Sequence, residues 1–546
     1  MGFATTNSLF DKHSDRIEEV INKNIEVFLP SLDPVWRDTV VTSQGVGPAD
    51  AIGRDMKIIK TYMGSMAGVL EQGAPRDDIG LYGDQTTAAG SKMYLQSLGQ
   101  TWPDPLNGPN ATPYRLGIGM RSMMSNIMFT LGELQAEAMP AFIGEVIAPK
   151  LEGFAKNIAH TLCNYWYINQ NDQYKLGTIS ALHDADAAGT SVDSASTGIR
   201  VTITEGTYDR FFTGQSVDII KSNGDFRRND SGADGSQTPA TRIRCFVETV
   251  DELKGYVYIR AVSTVGATNA TAFHTSGDAA AGTTEVGDVI VYANQATITG
   301  VDQASNMAPT GIAGINSWLK GGSGGNDDVL LGAEASGTAT EQINVNVHPE
   351  FKSFTKSSVG TLTEHKLRQY LRRFHSAKNK YGQYLDCLVA SDGVWLAYEA
   401  TKIGREILDR TGRLSSMSTE GSQEGFNFAF DGRSYKGYTS NYVEDGTVYG
   451  LRKGGSNWKR YVPPTPSGYS TFDRNESFIP FNFIAGALTG TGTNKLPIYD
   501  SSATGNRSMV TEGVQMPGLL RMQLVPDQPA GMKLTGVSTD QVYSEY

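Results

Sequence analysis

One short stretch of the sequence matches a catalytic pattern. Residues 321–325 (GGSGG) fit the G-x-S-x-G sequence of a serine nucleophile. Such a nucleophile needs a buried strand before the serine and a helix after it. Glycine surrounds Ser323 and no strand-like run leads into it, so we predict that 321–326 is a flexible linker. The sequence has no GxxxxGK[ST] phosphate loop, and residues 490–492 lack a third glycine at dinucleotide-binding spacing.

Possible metal ligands are sparse. Asp184 and Asp186 begin a pattern similar to a calcium loop, but Ala188 and Ala195 occupy ligand positions of that loop. The histidines form no HxH, HxxH or HExxH pair. His160 lies near an apolar helical stripe, where we expect a structural role. The seven histidines are His13, His160, His183, His274, His348, His365 and His375.

The cysteines encode neither a disulfide framework nor a zinc site. Cys163, Cys245 and Cys387 are odd in number, far apart and without a CxxC pair. This usage fits a reducing compartment. Together with the sparse histidines, it predicts no catalytic residue, no cofactor and no metal, and therefore a protein that is not an enzyme.

One basic cluster lies on a predicted helix. A solvated helix face is the favoured interpretation. Pairing with an acidic surface of a neighbouring molecule is the alternative. Contact with DNA is less favoured because the formal net charge of the chain is -11. The cluster comprises Lys366, Arg368, Arg372, Arg373, Lys378 and Lys380.

Length and composition limit the class of protein to which these motifs can belong. A chain of 546 residues suggests about three folding units. It is 39% hydrophobic and 19% charged, as expected of a soluble protein, and its 61 glycines indicate many turns. The N-terminus lacks a charged start followed by an apolar run, so we predict no signal peptide. No apolar run is long enough for a membrane span.

The first half of the chain alternates between helical and extended segments. Residues 14–28 predict an amphipathic helix that Ser14 caps and that Pro30 and Pro34 end. Because so short a helix cannot bury itself, we expect an arm that packs on something else. Its apolar positions are Ile17, Val20, Ile21, Ile25 and Phe28.

A long polar excursion follows this arm. Residues 73–113 are rich in Gly, Pro, Asp, Asn, Gln and Thr, and strand-like segments at 56–62 and 114–128 flank them. A loop of this length is unusual within a compact domain. We therefore expect that it finds its partners on a neighbouring molecule.

The clearest helical signal lies at 131–169, where apolar residues recur every three or four positions. Pro140 and Pro149 predict a kink or a late start. Residues 180–345 change to short alternating segments at 201–204, 216–220, 243–250, 255–261 and 286–292. Turn signals separate these segments, which predicts a small antiparallel β unit, in one interpretation a barrel.

The remaining residues, 346–546, alternate between helices and strands. Residues 361–364 (TLTE) match a capping box, which predicts a helix that buries Leu367, Tyr370, Leu371 and Phe374. A buried strand at 384–390 precedes a second helix, capped by Ser391 or Asp392 and running to about Leu408. Further strands are predicted around a turn at Asp431-Gly432, and at 441–451, 458–462 and 519–525.

This order of elements resembles the major capsid proteins of tailed bacteriophages, which have the Hong Kong 97 fold. The segment LGELQAEAMPAFIGEVIAPKLEGFAKNIAH is similar to the long spine helix of that fold. The segment LTEHKLRQYLRRFHSAKNKYGQYLDCLVASDGVWLAY is similar to the helix–strand–helix of its A-domain.

The resemblance implies an α+β fold with an inserted antiparallel β-barrel-like domain. It divides the chain into an N-terminal arm (1–50), an E-loop with flanking P-domain strands (51–130) and a P-domain spine helix (131–179). The inserted β-rich domain (180–345), the A-domain (346–500) and C-terminal strands returning to the P-domain (501–546) follow.

The implied function is self-assembly into pentamers and hexamers of an icosahedral head around double-stranded DNA. An encapsulin-like protein shell and a phage tail or baseplate protein are the alternatives. The implied partners are other copies of the chain, portal, decoration or cement proteins, and packaged DNA in non-specific proximity. Because no charged coiled coil precedes the arm, we also expect either a separate scaffolding protein or an additional segment. No membrane partner is expected, and the location is the virion.

Overall fold

The chain divides into a larger and a smaller compact unit in a computed structural model. The smaller unit comprises Pro48–Gly119 and Ala335–Gln342, and the larger one comprises the rest. The structure describes residues 20–45, 51–52, 55–62, 112–119, 121–130, 143–168, 175–184, 198–204, 207–220, 244–261, 284–292, 312–331, 343–406, 427–430, 432–453, 458–462, 481–483, 513–526 and 528–540.

Two short helices open the larger unit. Helix α1 covers residues 20–32, and helix α2 spans Pro34–Thr39. Pro34 begins α2 instead of ending a helix, because the first helical position needs no N–H and suits the fixed φ of proline. The apolar side chains of Ile21, Ile25 and Leu29 are buried within this same chain. Helix α1 therefore packs on other parts of its own chain.

The smaller unit contains a sheet of three strands. Strands β2 (Ala51–Ile52), β3 (Asp55–Tyr62) and β4 (Thr112–Gly119) are ordered β2-β3-β4. Strands β3 and β4 pair antiparallel over their whole length, from Asp55↔Gly119 to Tyr62↔Thr112. The predicted strand at 56–62 is confirmed. The long polar excursion lies almost entirely outside the described residues.

A long helix and a sheet form one part of the larger unit. Helix α3 runs Ile143–Tyr167 and contains Pro149, while residues 131–142 of the predicted helix lie outside the described residues. The sheet has the order β1-β17-β19-β18, and β5 also pairs with β19. Its strands are β1 (Val40–Gly45), β5 (Arg121–Thr130), β17 (Trp458–Val462), β18 (Phe481–Phe483) and β19 (Gly513–Pro526).

Six strands of the larger unit close into a barrel in the order β10-β7-β6-β11-β8-β9. Every pairing is antiparallel. Each segment predicted from alternation overlaps one of its strands, but β6 was missed. The strands are β6 (Lys175–Asp184), β7 (Gly198–Thr204), β8 (Ser216–Ile220), β9 (Arg244–Asp251), β10 (Tyr256–Ala261) and β11 (Val289–Tyr292).

A second sheet has the order β12-β20-β16-β13-β15-β14. The central strand β13 (Cys387–Ala390) pairs parallel with β15 (Arg433–Thr439) and antiparallel with β16 (Val448–Leu451). The edge strands are β12 (Phe354–Lys356) with β20 (Met532–Leu534), and β14 (Asn427–Phe430). Strands β13 and β16 are shorter than the predicted 384–390 and 441–451.

Three helices follow α3 along the chain, namely α4 (Ile315–Trp318), α5 (Glu364–Lys378) and α6 (Asp392–Glu406). The apolar face predicted for α5 is buried in a core with Leu388, Trp395 and Tyr435. Thr363, not Thr361, caps α5, because its side chain accepts a hydrogen bond from the amide of Lys366. The N-cap was therefore placed two residues too early, and Lys366 at the third helical position is not the Glu or Gln of a capping box.

Candidate functional site

A carboxylate on the N-terminal segment joins it to the second sheet. Asp38 Oδ2 accepts hydrogen bonds from Tyr438 Oη (2.7 Å), Lys436 Nζ (3.3 Å) and Lys453 Nζ (3.3 Å). Burial alone would raise the pKa of Asp38. The Tyr438 hydroxyl and the cations of Arg37 and Lys453 outweigh burial and hold this pKa well below its usual range. The carboxylate therefore stays ionised and links two strands to α2.

A second carboxylate lies at the junction of α1 and α2 and is fully buried. Asp33 accepts hydrogen bonds from Tyr167 Oη (2.8 Å) on α3 and from the amide of Val35 (3.2 Å). Burial raises the pKa of Asp33 to about 6 despite these contacts. Asp33 therefore caps α2 and ties it to the C-terminal end of the long helix.

Aromatic side chains fill the space around this junction. Trp36 of α2 meets Trp166 of α3 edge-on, with ring centroids 4.9 Å apart. Trp166 in turn contacts Trp458 of β17 at 5.9 Å. All three indoles are buried. Aromatic pairs of this geometry add to the stabilisation from burial alone, so the N-terminal helices belong to the folded body.

The barrel is joined to the long helix and to a loop of the second sheet through Arg210. Its Nε and Nη2 donate to the Tyr442 carbonyl (3.2 and 3.0 Å), and its Nη1 donates to the Lys175 carbonyl (3.4 Å). Asn164 of α3 donates to the Arg210 carbonyl (3.0 Å) and to Tyr292 Oη (2.6 Å). These bonds fix one end of the barrel.

His160 has the structural environment that the sequence indicated. Its ring contacts Phe212 and Tyr442 edge-on, at 5.0 and 5.2 Å between centroids. Burial lowers the pKa of His160 to about 4, and the charge of Lys156 acts in the same direction. The neutral imidazole is therefore part of the packing between α3 and the barrel end.

The glycine-rich stretch at 321–326 is an ordered turn, and the prediction of a flexible linker is wrong. The Asp327 carboxylate accepts from the amides of Gly321 (3.1 Å) and Ser323 (2.9 Å) and from Ser323 Oγ (2.8 Å). The Gly324 amide donates to Asp328 Oδ1 (2.9 Å). The helix directly after Ser323 is a single 3-10 turn, Gly325–Asp327, which is shorter than the helix that the nucleophile pattern requires.

The basic cluster on α5 separates into exposed and engaged side chains. Arg372, Arg373 and Lys380 are exposed, as a solvated face requires. Arg368 pairs with Glu364 one turn earlier. Lys378 is buried and donates to the carbonyls of Pro349 and Glu350, and burial lowers its pKa to about 8.

Other site classes gain no support within the described ranges. Cys163, Cys245 and Cys387 are free and buried. Among the residues that the structure describes, no group of three or more His, Cys, Asp or Glu is placed to hold a metal ion. In the same residues, no helix has the length and apolarity that crossing a bilayer requires. The calcium-like positions after Asp184 and the stretch 490–492 lie outside the description.

These anchoring residues could not be predicted from the sequence. None of the four belongs to a recognisable sequence motif. They are Asp33, Asp38, Asn164 and Arg210. A partial signal existed in the run of Tyr165, Trp166 and Tyr167, because three successive aromatic residues on a helix cannot all face one side. This predicts packing partners on more than one face of α3.

Comparison with known proteins gives structural likenesses only. No protein-family model matches the sequence, and no curated protein matches it. The chain is similar to a structure described as the cyanophage A-1(L) capsid asymmetric unit, with 10% identity and a TM-score of 0.35, covering 92% of this chain and 93% of that chain.

Two further solved structures are similar. The cyanophage Pam1 capsid asymmetric unit has 8% identity and a TM-score of 0.30, with 92% of each chain covered. The holo-SrpI encapsulin complex from Synechococcus elongatus PCC 7942 has 15% identity and a TM-score of 0.20, with 35% of this chain and 55% of that chain covered.

Proposed function

We propose that this chain is the major capsid protein of a tailed bacteriophage. In this role it assembles into pentamers and hexamers that close an icosahedral head around double-stranded DNA. The observation that supports the proposal most is the separate unit formed by β2, β3 and β4. An isolated two-stranded hairpin is marginally stable in water, and β2 adds only two residues to the pair β3–β4.

The polar excursion between β3 and β4 strengthens this argument. Fixing the backbone of residues 73–113 would cost roughly 1–2 kcal/mol per residue in conformational entropy. Apolar burial within the excursion cannot offset that cost, because its composition is polar. Contacts with neighbouring copies can offset it, since obligate interfaces of this kind bury several thousand Å².

Each segment of the chain then has a role in the proposed shell. Residues 1–50 are the N-terminal arm, whose base at α1 and α2 is anchored to its own subunit. Residues 51–130 are the E-loop and its flanking strands, and 131–179 contain the spine helix of the P-domain. Residues 346–500 form the A-domain at the capsomer centre, and 501–546 return to the P-domain.

The barrel is the inserted domain of this proposal, and its first strand begins at Lys175, five residues before the predicted start of the domain at 180. Its end near Arg210 is bonded to the rest of the larger unit, and its β9–β10 hairpin carries Leu253 with 85% of its surface exposed. An exposed leucine at a hairpin tip is available to another molecule. The barrel therefore either projects outward or bridges neighbouring subunits.

The remaining partners follow from the same role. Scaffolding and portal proteins and decoration or cement proteins would contact the shell, and packaged DNA would lie near it without sequence-specific contact. A net charge of -11 is compatible with a wall that does not hold the polymer tightly. Assembly would occur in the host bacterial cytoplasm, and the mature location is the virion.

Electron microscopy of the purified recombinant chain tests the proposal. We expect closed particles or flat hexameric sheets. A well-behaved monomer at high concentration would contradict the proposal, and open tubes or spikes would favour the tail or baseplate alternative. DNA protected inside particles from infected cells distinguishes a phage head from an encapsulin-like shell.

A matched deletion tests the observation that carries the proposal. Tyr62 and Thr112 face each other at the end of the β3–β4 pair, so a two-residue Asn-Gly turn can replace residues 63–111. We expect this variant to fold, with a cooperative urea unfolding transition, but to remain unassembled. Particles of normal size from the variant would show that the excursion does not hold the lattice.

A further inference from the structure

Three side chains converge at one edge of the second sheet. Tyr384 lies three residues before Cys387, the first residue of β13, and Arg433 lies three residues before Lys436, which pairs with Cys387. Arg452 directly follows Leu451, which pairs with Cys387 from the other side. The register therefore brings Tyr384, Arg433 and Arg452 to the same end of three neighbouring strands.

The two guanidinium groups lie against one aromatic ring. The Arg452 guanidinium carbon is 4.6 Å from the Tyr384 ring centroid, and that of Arg433 is 5.4 Å from it. Gln528 fixes the backbone of Tyr384, because its side chain accepts from the Tyr384 amide (3.3 Å) and donates to the Tyr384 carbonyl (3.0 Å). All three side chains are partly exposed. The cluster is therefore preorganised and open to a ligand.

The charges of this cluster are not balanced within the described part of the chain. Lys436 and Lys453 on the same strands share the carboxylate of Asp38. Neither Arg433 nor Arg452 has a carboxylate within ion-pair distance among the described residues. Within the described ranges, Arg433 Nη1 lies 3.3 Å from the ring nitrogen His375 Nδ1, and the buried Arg452 Nε has no hydrogen-bond acceptor there.

Asp386, the acidic residue that precedes β13, is already engaged. Its side chain accepts from the backbone amide of Lys453. Two like charges beside one ring repel each other, and a buried N–H without an acceptor is costly. An oxyanion bound at Arg452 would give its Nε an acceptor and would offset the like charge of Arg433 on the same ring, because arginine presents a fork of donors that matches a carboxylate.

We propose that Arg433, Arg452 and Tyr384 form a carboxylate-binding site that receives an Asp or Glu side chain from a second copy of this chain. The inference rests on the proposed shell function and names one contact of that assembly. The chain carries 58 acidic and 47 basic residues, so a second copy offers surplus carboxylates. Arginine and tyrosine also dominate the energetic centres of protein interfaces. A DNA backbone is the less suitable occupant, because the whole chain repels polyanions.

A zero-length cross-link tests the contact directly. The variants Arg452→Lys and Arg433→Lys keep the charge and add an amine that a carbodiimide can join to a carboxylate. Assembly from mixed isotope-labelled and unlabelled chains distinguishes links between copies from links within one copy. We expect the peptide that contains the new lysine at 452 or 433 to be joined to an Asp- or Glu-containing peptide that carries the other isotope label. The control Arg372→Lys, at an exposed position, should give no product that joins the two labels. Only same-label links, such as one to Asp386, would overturn the proposal.

A double variant that removes both arginine charges provides the second measurement. We expect the double variant Arg433→Gln/Arg452→Gln to require an about tenfold or higher concentration for half-assembly in sedimentation velocity. The control Arg372→Gln/Arg373→Gln removes the same charge from an exposed helix face and should assemble normally. Equal assembly of both pairs overturns this contact while leaving the shell function standing. A wild-type chain that never assembles overturns both proposals. Unchanged assembly with lost binding to short duplex DNA assigns the site to phosphate and also overturns the proposal.

Discussion

The buried carboxylate of Asp33 should make the stability of the larger unit depend on pH, and Asp33→Asn should remove that dependence. Asp33 is fully buried between α2 and α3 and accepts hydrogen bonds from Tyr167 and the Val35 amide. An asparagine has the same shape. It can accept from the same amide, and its NH₂ group can donate to the Tyr167 oxygen once that hydroxyl rotates.

The magnitude follows from the pKa of the carboxyl in the two states. Burial raises the pKa of Asp33 from 3.8 to about 6 on folding. The folded state therefore holds the Asp33 proton more tightly, and the contribution of Asp33 to stability is greatest below pH 3.8. This contribution falls as pH rises from 3.8 to about 6, and it stays constant above about 6. At about 1.4 kcal/mol per pKa unit, the ionised carboxylate costs about 3 kcal/mol at pH 8. Asp33→Asn should be more stable than wild type there by up to that amount.

Urea unfolding followed by tryptophan fluorescence measures this difference, because Trp36 and Trp166 lie in contact beside the site. Asp38→Asn is a control of opposite sign. Its contacts hold the pKa of Asp38 low, so the variant should lose stability at pH 7 and approach wild type as pH falls. The reasoning would be refuted if Asp33→Asn unfolded at a lower urea concentration than wild type at pH 8. A difference that did not change between pH 4 and pH 8 would refute it equally.

Two further substitutions test local contacts. Thr363→Ala removes the cap of α5 and should lower the free energy of unfolding by about 1 kcal/mol, whereas Thr363→Ser should retain most of it, both measured by urea denaturation. Arg210→Gln leaves the Tyr442 and Lys175 carbonyls without their donor and should cost about 2–4 kcal/mol. Arg210→Gln should also increase the rate of proteolysis between the barrel and α3. The control Arg200→Gln, on a barrel strand, should leave this rate unchanged. Equal cleavage rates in the two variants would contradict the anchoring role.

Local periodicity was sufficient to find many elements. The alternation at 216–220 predicted β8 with its bounds, and the spacing of Leu367, Leu371 and Phe374 predicted the buried face of α5. The Asp431-Gly432 turn was predicted correctly because Gly432 adopts a positive φ of 72° between paired strands. Patterns of this kind are readable because the interacting residues are close in sequence.

Contacts between residues that are distant in sequence could not be predicted from such patterns. Asp38 and Tyr438 are separated by 400 positions, and neither lies in a motif. The stretch 321–326 has the composition of a linker, and only the three-dimensional position of the Asp327 carboxylate reveals that it is ordered. The position of α1 likewise depends on a residue distant in sequence, because Arg460 of β17 bonds to Glu26 at 2.8 Å. The shell assembly itself remains a prediction, since it concerns contacts between copies.

The anchoring of the barrel has a mechanical consequence for the proposed shell. The Arg210 guanidinium donates to the backbone carbonyls of Tyr442 and Lys175, and Asn164 in the last turn of the long helix binds the Arg210 backbone. Backbone acceptors cannot rotate away as side chains do, so the barrel end is fixed in orientation as well as in place. A force applied at the exposed Leu253 hairpin would therefore pass through the barrel to α3 and to the loop at Tyr442. A barrel joined by flexible tracts could not transmit it, which favours a role in bridging subunits over a freely swinging outer domain.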